Sequence, residues 1–151
     1  MRRVLSTLVL LIWGLWFGGL IVLLISVLTL FNTFPDRHDL AGQGAAHIFH
    51  VFNAYQLVLA AGALVLTFVC RVVGPPRWTT MLFVFFAIAT VGACMIATYL
   101  TPHIEMLQHQ GLTASAQFKR LHGLSMALYV GEVVSLLIAG IILPSLSPRT
   151  G

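Results

Sequence analysis

The chain has 151 residues, of which 8% are charged and 59% are hydrophobic, and its formal net charge is +4. A soluble globular domain carries about 25% charged residues, so this chain has too little charge to cover a water-facing surface. The composition excludes a soluble enzyme, a disordered tail and a nucleic-acid-binding protein. It predicts an integral membrane protein whose surroundings are lipid.

Four apolar stretches are each long enough to cross a bilayer core, which takes about 20 helical residues. They lie at about 4–31, 48–70, 81–100 and 121–143, and breakers such as Pro35, Gly74-Pro75-Pro76 and Pro144 fall between or after them. Because open sheet edges are not tolerated in lipid, these stretches predict helices. We expect an all-α membrane protein, a four-transmembrane-helix bundle that forms one domain over residues 1–151.

The charges flanking the stretches predict the orientation. The first stretch is interpreted as a retained span, because it is about twice as long as the apolar region of a signal peptide. With the N-terminus inside, the inner segments hold Arg2, Arg3, Arg71, Arg77 and Arg149, and the outer segments hold Arg37, Lys119 and Arg120. The positive-inside rule then predicts a multi-pass membrane protein with cytoplasmic termini.

All six histidines fall on the predicted outer side. A short outer helix is expected at about 102–110, with Thr101 as its N-cap, Pro102 at its first position and Gly111 as its stop. Imidazole and thioether groups ligate borderline and soft metals, and the candidate ligands on this side are His47, His50, His103, Met106 and His109. The alternative interpretation is histidines at headgroup depth without a ligand, since no tight metal-binding motif is present.

The fourth stretch carries a narrow polar stripe. At about 100° per residue, His122, Ser125, Tyr129 and Glu132 fall within about 80° of one another on an otherwise apolar helix. Glu132 lies about 16 Å from the outer end of its span, and no lysine or arginine lies at a matching depth. An ionised acid there is costly, so we expect a protonated Glu132 facing protein or water, with Asn53 of the second span in reach.

These residues support three hypotheses about function. The first is a non-enzymatic membrane protein that binds or conducts a metal ion, a proton or a small ligand at the outward-facing site. The second is a structural or assembly subunit, in which Glu132 joins helices and Gly14-x-x-x-Gly18 packs closely, preferably within the bundle, otherwise in a homo-oligomer. The third is a haem-dependent membrane oxidoreductase with an outer histidine such as His50 or His122 on the iron. Composition does not decide among copper, zinc, haem and no cofactor.

Several motifs resemble a known family. They are Trp16-Phe17-Gly18-Gly19, Leu40-Ala41-Gly42 leading to Phe49, Thr101-Pro102, and Phe118 with Leu121-His122-Gly123-Leu124-Ser125. The chain resembles the bacterial four-helix membrane family related to human transmembrane protein 205, a domain-of-unknown-function family. More distantly, it is similar to membrane domains of the copper-resistance protein D type and of the haem-containing bacterial protoporphyrinogen oxidase type. The resemblance implies a four-helix fold in the bacterial inner (plasma) membrane and no established activity.

Overall fold

The computed structural model describes residues 2–73 and 76–146, which form helices and short connections. The helices are α1 (Arg2–Thr33), α2 (His38–Val73), α3 (Pro76–Met95), α4 (Thr101–His109) and α5 (Ala116–Ile142), with a π-helical segment at Ile96–Leu100 and a 3-10 turn at Leu143–Leu146. No strand occurs in these two ranges, so the all-α fold is confirmed for them. The predicted break at Gly74-Pro75 and the inner-side Arg149 lie outside the described residues.

Within residues 2–73 and 76–146, four continuous helices are long and apolar enough to span a membrane, because α3 and α4 join into one. The exposed side chains agree with this assignment, since large apolar residues such as Val22, Val58, Val91 and Ile141 are more than half exposed on the lateral surface. A soluble protein rarely exposes apolar area on every long helix, whereas lipid solvates such a surface without cost. The predicted bundle of four membrane-spanning helices is therefore confirmed.

The helices form a ring in which α1 packs on α2, α2 on α3, and α3 on α5, while α5 returns against α1. Between α1 and α2, the Tyr55 hydroxyl donates to Leu15 O at 3.1 Å. Between α1 and α5, Trp13 Nε1 donates to Leu136 O at 2.7 Å. Trp16 is fully buried between the helices. These contacts set the register in which the polar groups of the interior meet.

The start of α4 differs from the predicted separate helix. Thr101 has helical backbone angles (φ −57°, ψ −51°) instead of the extended angles of an N-cap, and the chain continues into it from α3 through Ile96–Leu100. Pro102 lacks the N–H for a helical bond and its ring crowds the preceding turn. The wider π-helical turn accommodates that ring. The helix therefore changes from α-helical to π-helical hydrogen bonding over one turn and does not end at Thr101.

The end of α4 lies where the sequence predicts it. Gly111 has a φ of +71°, a left-handed conformation that glycine adopts without a Cβ clash. The N–H of Leu112 donates to Leu107 O at 2.9 Å, which closes the helix in the manner of a Schellman motif. Helix α2, by contrast, begins about three turns earlier than the predicted span, at His38, and Gly42 there approaches Gln108 of α4.

Gly14 and Gly18 do not provide the internal packing that the sequence analysis favoured. A Cβ added at either position would have no atom within 4 Å outside its own part of the helix, and both residues line an open groove of about 820 Å³ between α1 and α2. The close approach of these helices occurs at Gly19 instead, where a Cβ would lie 3.1 Å from the rings of Phe52 and Tyr55. Gly14 is therefore exposed and Gly18 half-buried, and both face the open groove.

Candidate functional site

A cluster of polar side chains lies inside the bundle, between α2 and α5. Its members are at most 8% exposed, and they are Asn53, Gln56, Ser125, Tyr129 and Glu132. Each helix contributes residues at spacings of three or four, which places them on one face. The sequence-predicted stripe of α5 is thus turned inward from Ser125 to Glu132.

Asn53 is the centre of the hydrogen-bond network. Its Oδ1 accepts from the Tyr129 hydroxyl at 3.0 Å and from Gln56 Nε2 at 3.2 Å. Its Nδ2 donates to Thr101 Oγ1 at 2.9 Å. One amide therefore joins α2, α5 and the junction of α3 with α4.

Glu132 is the most unusual member of the cluster. It is 1% exposed, and neither carboxyl oxygen has a hydrogen-bond partner. It packs against α3 at Gly92, where a Cβ would lie 3.3 Å from Glu132 Cγ and 3.4 Å from Oε1. Within the described ranges the one ion pair, Arg37 with Asp39 at 4.0 Å, is on the surface. No cation of the described chain balances Glu132. The neutral, protonated carboxyl is therefore energetically favoured over the ionised one.

A comparison with protein families identifies the family of the chain. The family model described as "Domain of unknown function (DUF4149)" matches residues 11–113. The chain belongs to the DUF4149 family. The match spans α1 to α4 and includes Asn53, Gln56 and Thr101, whereas Tyr129 and Glu132 lie beyond its end. No curated protein and no solved structure matches the chain.

The DUF4149 chain does not bring His122 into the buried cluster. His122 is exposed and stacks on Phe118, with ring centroids 5.9 Å apart and planes 5° from parallel. It stands at the edge of the stripe within the first two turns of α5. Sequence periodicity places a residue at an angle around a helix, but it does not say where along the helix a neighbour covers that angle.

The outer histidines and methionine are spread over the surface. His47, His50, Met106 and His109 are exposed. His103 is half-buried, and its Nδ1 lies 2.7 Å from Tyr99 O on its own helical continuation. No group of three His, Cys, Asp or Glu side chains positioned for a metal occurs in the part of the chain that the structure describes. Metal binding by these residues stays a prediction from sequence.

Three residues of the site were missed at the level of sequence. Gln56 had a signal, because it is a second amide one turn after Asn53 in an otherwise apolar span. Thr101 was interpreted as a helix cap, although its hydroxyl accepts from Asn53. Gly92 gave no signal, since its role depends on the cross-helix contact with Glu132.

Proposed function

We propose that this DUF4149 protein is a non-enzymatic membrane protein that binds a proton, or a small hard cation in its place, at Glu132 inside the bundle. The observation that carries this proposal is the carboxyl itself, which is 1% exposed and has no partner for either oxygen. A buried polar group without a partner costs about 1–3 kcal/mol, and more when it is charged. Such a group is retained most readily where an occupant uses it.

The surrounding network favours a positive or hydrogen-donating occupant. The Tyr129 hydroxyl hydrogen and one of the two Gln56 amide hydrogens are directed to Asn53 Oδ1. The buried oxygens of the cluster that have no partner among the described residues are Gln56 Oε1 and the two carboxyl oxygens of Glu132. An ionised Glu132 would add negative charge to a set of acceptors, whereas a proton or a cation supplies what the set lacks.

The donor atoms also favour a hard occupant. The buried cluster offers carboxyl, amide and hydroxyl oxygens, which suit protons and hard cations. Sulfur and imidazole, which suit copper, zinc and haem iron, lie elsewhere: the candidate ligands His47, His50 and His122 are exposed. A buried copper, zinc or haem site at this cluster is therefore less well supported than a proton site.

The hydrogen-bond network beside Glu132 extends toward the start of α4. From Tyr129 the hydrogen bonds lead through Asn53 to Thr101, at the start of α4. The positive-inside count predicts that α4 lies on the outer side of the membrane, which we propose is a bacterial inner membrane, with both termini in the cytoplasm. We propose on this basis that Glu132 exchanges its occupant with the outer side, and that the chain is a single domain related to the transmembrane protein 205 family.

A hydrophobic carbodiimide tests the site, because it modifies protonated carboxyls in apolar surroundings. The full chain is reconstituted in lipid vesicles, treated over a range of pH, and analysed by peptide mass spectrometry. The chain has four acids, so Asp36, Asp39 and Glu105 serve as controls within the same molecule. We expect preferential modification of Glu132 that declines as the pH rises, and no modification at that position in Glu132→Gln.

Equal modification of Glu132 and the exposed Asp36 and Asp39, or modification of Glu132 that does not depend on pH, would overturn the proposal. Added sodium or lithium distinguishes the two kinds of occupant. Protection by either ion indicates a hard metal cation at Glu132, and the absence of protection indicates a proton.

A structural or assembly role is the second candidate, and two observations favour it. Asn53 joins three helical segments, as a purely stabilising network would. Gly14 and Gly18 expose a close-packing surface to lipid, where a membrane partner or a second copy could dock. Under this hypothesis Glu132→Gln affects stability alone and changes no host phenotype, and the protein co-purifies with a larger complex.

A further inference from the structure

The groove between α1 and α2 is large enough to hold a ligand. Its volume of about 820 Å³ falls within the range of about 300–1,000 Å³ that is usual for small-molecule sites. Along α1 it extends from Gly14 to Ser26, which is about 18 Å at 1.5 Å per residue. The walls between these two residues are formed by apolar side chains such as Val22 and Val51. The groove opens sideways, so its occupant enters from the membrane.

The two ends of the groove differ in their free polar groups. At one end the Tyr55 hydroxyl donates to Leu15 O at 3.1 Å, so this donor is already used. At the other end the lining residues are Ser26 and His47, and the structure records no hydrogen bond for either side chain within residues 2–73 and 76–146. Other hydroxyls in the bundle, such as that of Thr90, donate to the carbonyl four residues earlier. The groove therefore has one end with two unused donors.

The end with the unused donors lies at the depth of the lipid headgroups. At about 1.5 Å per residue, Ser26 lies about 35 Å along α1 from Arg3, and His47 lies about 36 Å along α2 from Arg71. Both distances slightly exceed the thickness of the hydrocarbon core, about 30 Å. Leu15, at the other end of the groove, lies about 18 Å from Arg3, near the middle of the bilayer. The groove therefore extends over one leaflet, and the positive-inside count predicts that this is the outer one.

We propose that the groove binds one acyl chain of an outer-leaflet phospholipid, with the ester and phosphate end of the lipid at Ser26 and His47. Ester and phosphate oxygens are acceptors, so they complement a hydroxyl and an imidazole N–H that have no protein partner. An acyl chain reaches from the headgroup to the middle of the bilayer, and the groove covers the same distance. The methyl end of the chain then lies near Tyr55, where the hydroxyl is already bonded. This proposal does not depend on what occupies Glu132.

The width of the groove favours a hydrocarbon chain over a helix from a second copy. Packed helices have axes about 8–10 Å apart, whereas a helix with its side chains is about 10–12 Å across. The two helices approach closely at Gly19, where a Cβ would lie 3.1 Å from the rings of Phe52 and Tyr55. A further helix would rest on the exposed side chains of Val22 and Val51, which are 63% and 70% exposed. A single acyl chain is narrow enough to lie between them.

Photocrosslinking tests the site in the natural sequence. The full chain is reconstituted in vesicles that contain a small fraction of phosphatidylethanolamine with a diazirine either at the methyl end or near the ester of one acyl chain. Adducts are located by peptide mass spectrometry. We expect the methyl-end probe to label the region of Leu15 and Tyr55, and the ester-end probe to label the region of Ser26 and His47.

The control positions for crosslinking lie on another face of the bundle. Val91 and Tyr99 are 61% and 51% exposed, and they lie about 21 Å and 33 Å from Arg77, at depths that match the two ends of the groove. We expect labelling in the groove to exceed labelling at these positions several-fold. Equal labelling of the groove and of this face overturns the proposal, as does labelling of the groove that is the same for the two probes.

A variant that fills the groove tests its capacity. In Gly18→Leu the added side chain has room, because a Cβ at Gly18 meets nothing within 4 Å, and it occupies the groove. We expect crosslinking in the groove to fall several-fold. Gly131→Leu is the matched control, since a Cβ at Gly131 also meets nothing within 4 Å but the residue lies on α5, away from the groove. Crosslinking in Gly18→Leu at the level of Gly131→Leu overturns the proposal.

Native mass spectrometry of the full chain, released from nanodiscs of phosphatidylethanolamine and phosphatidylglycerol, identifies the occupant. We expect a retained mass of one phospholipid on the natural chain and on Gly131→Leu, and a several-fold smaller fraction with this mass on Gly18→Leu. A dimer that is lost in Gly18→Leu assigns the groove to a second copy and overturns the proposal. A retained mass that is not a phospholipid, or no retained mass, overturns it as well. None of these outcomes changes the carbodiimide test of Glu132.

Discussion

The buried cluster and the histidine-rich outer end contain similar numbers of polar side chains, but the two regions use them differently. In the cluster, Asn53 makes three hydrogen bonds, one within α2 and two to other segments of the chain. At the outer end, His47, His50 and His109 are exposed, and no hydrogen bond of theirs is recorded in the described structure. The number of polar residues in a region is therefore a poor guide to a site.

Solvation explains the difference. An exposed imidazole can bond to water or headgroups, so its presence needs no partner and implies none. A buried carboxyl in a membrane bundle has only the protein or an occupant to bond to, and Glu132 has no protein partner. Substitutions in the two regions should consequently differ in their effects, and the predictions below run from the largest to the smallest.

Replacement of Asn53 by leucine should have the largest effect. The variant Asn53→Leu removes the shared acceptor and leaves the Tyr129 hydroxyl and Gln56 Nε2 unpartnered inside the bundle. We expect the free energy of unfolding in mixed micelles to fall by about 2–3 kcal/mol, since each buried unpartnered donor costs about 1–3 kcal/mol. Helicity against denaturing detergent measures this change.

The matched control is His50→Ala, one turn earlier on the same helix. His50 is exposed, so its loss should stay within about 0.5 kcal/mol. Equal losses in the two variants would remove the distinction between the buried cluster and the outer end. A loss in Asn53→Leu below about 0.5 kcal/mol would mean that the network contributes little, as some hydrogen bonds between membrane helices do.

Gly92→Ala should change the site more than it changes stability. The added methyl group would lie 3.3 Å from Glu132 Cγ, so the carboxyl must shift by a few tenths of an ångström. Crowding of this kind is destabilising, but replacing a helical glycine with alanine gains about 1 kcal/mol, so the net change should be below about 1 kcal/mol. We expect a several-fold change in carbodiimide modification of Glu132 all the same.

Gly131→Ala provides the control for that prediction. Gly131 adjoins Glu132 on α5, but a Cβ there meets nothing within 4 Å. The control should keep the modification of Glu132 at the natural level. Unchanged modification in both variants would show that the contact with α3 does not position the carboxyl.

The architecture could be predicted because it depends on local quantities. The length of each apolar stretch decides whether a helix spans the bilayer, and the four spans follow from it. The inward face of α5 also follows from periodicity, because Ser125, Tyr129 and Glu132 repeat at helical spacing and are all buried. The end of α4 at Gly111 is also local, because glycine adopts a positive φ without a Cβ clash.

The remainder of the site depends on contacts between distant segments. Thr101 followed by Pro102 is locally a good helix start, yet the helix runs through it and the hydroxyl accepts from Asn53, 48 residues away. The Gly14-x-x-x-Gly18 pattern predicts close helix packing, yet the neighbouring Gly19 makes the close contact with α2. Which residues make these contacts depends on the register of one helix against another. No local pattern in a single sequence specifies that register.

His122→Ala should have the smallest effect, although the sequence places this residue on the same stripe as Glu132. The imidazole is exposed, and its recorded contact is the stacking on Phe118 at 5.9 Å. Its removal should change the free energy of unfolding by no more than about 0.5 kcal/mol and leave the modification of Glu132 at the natural level. The same vesicle assay measures both His122→Ala and Glu132→Gln. A several-fold drop in the modification of Glu132 in His122→Ala would mean that His122 takes part in the exchange at the buried carboxyl. The two regions would then form one pathway.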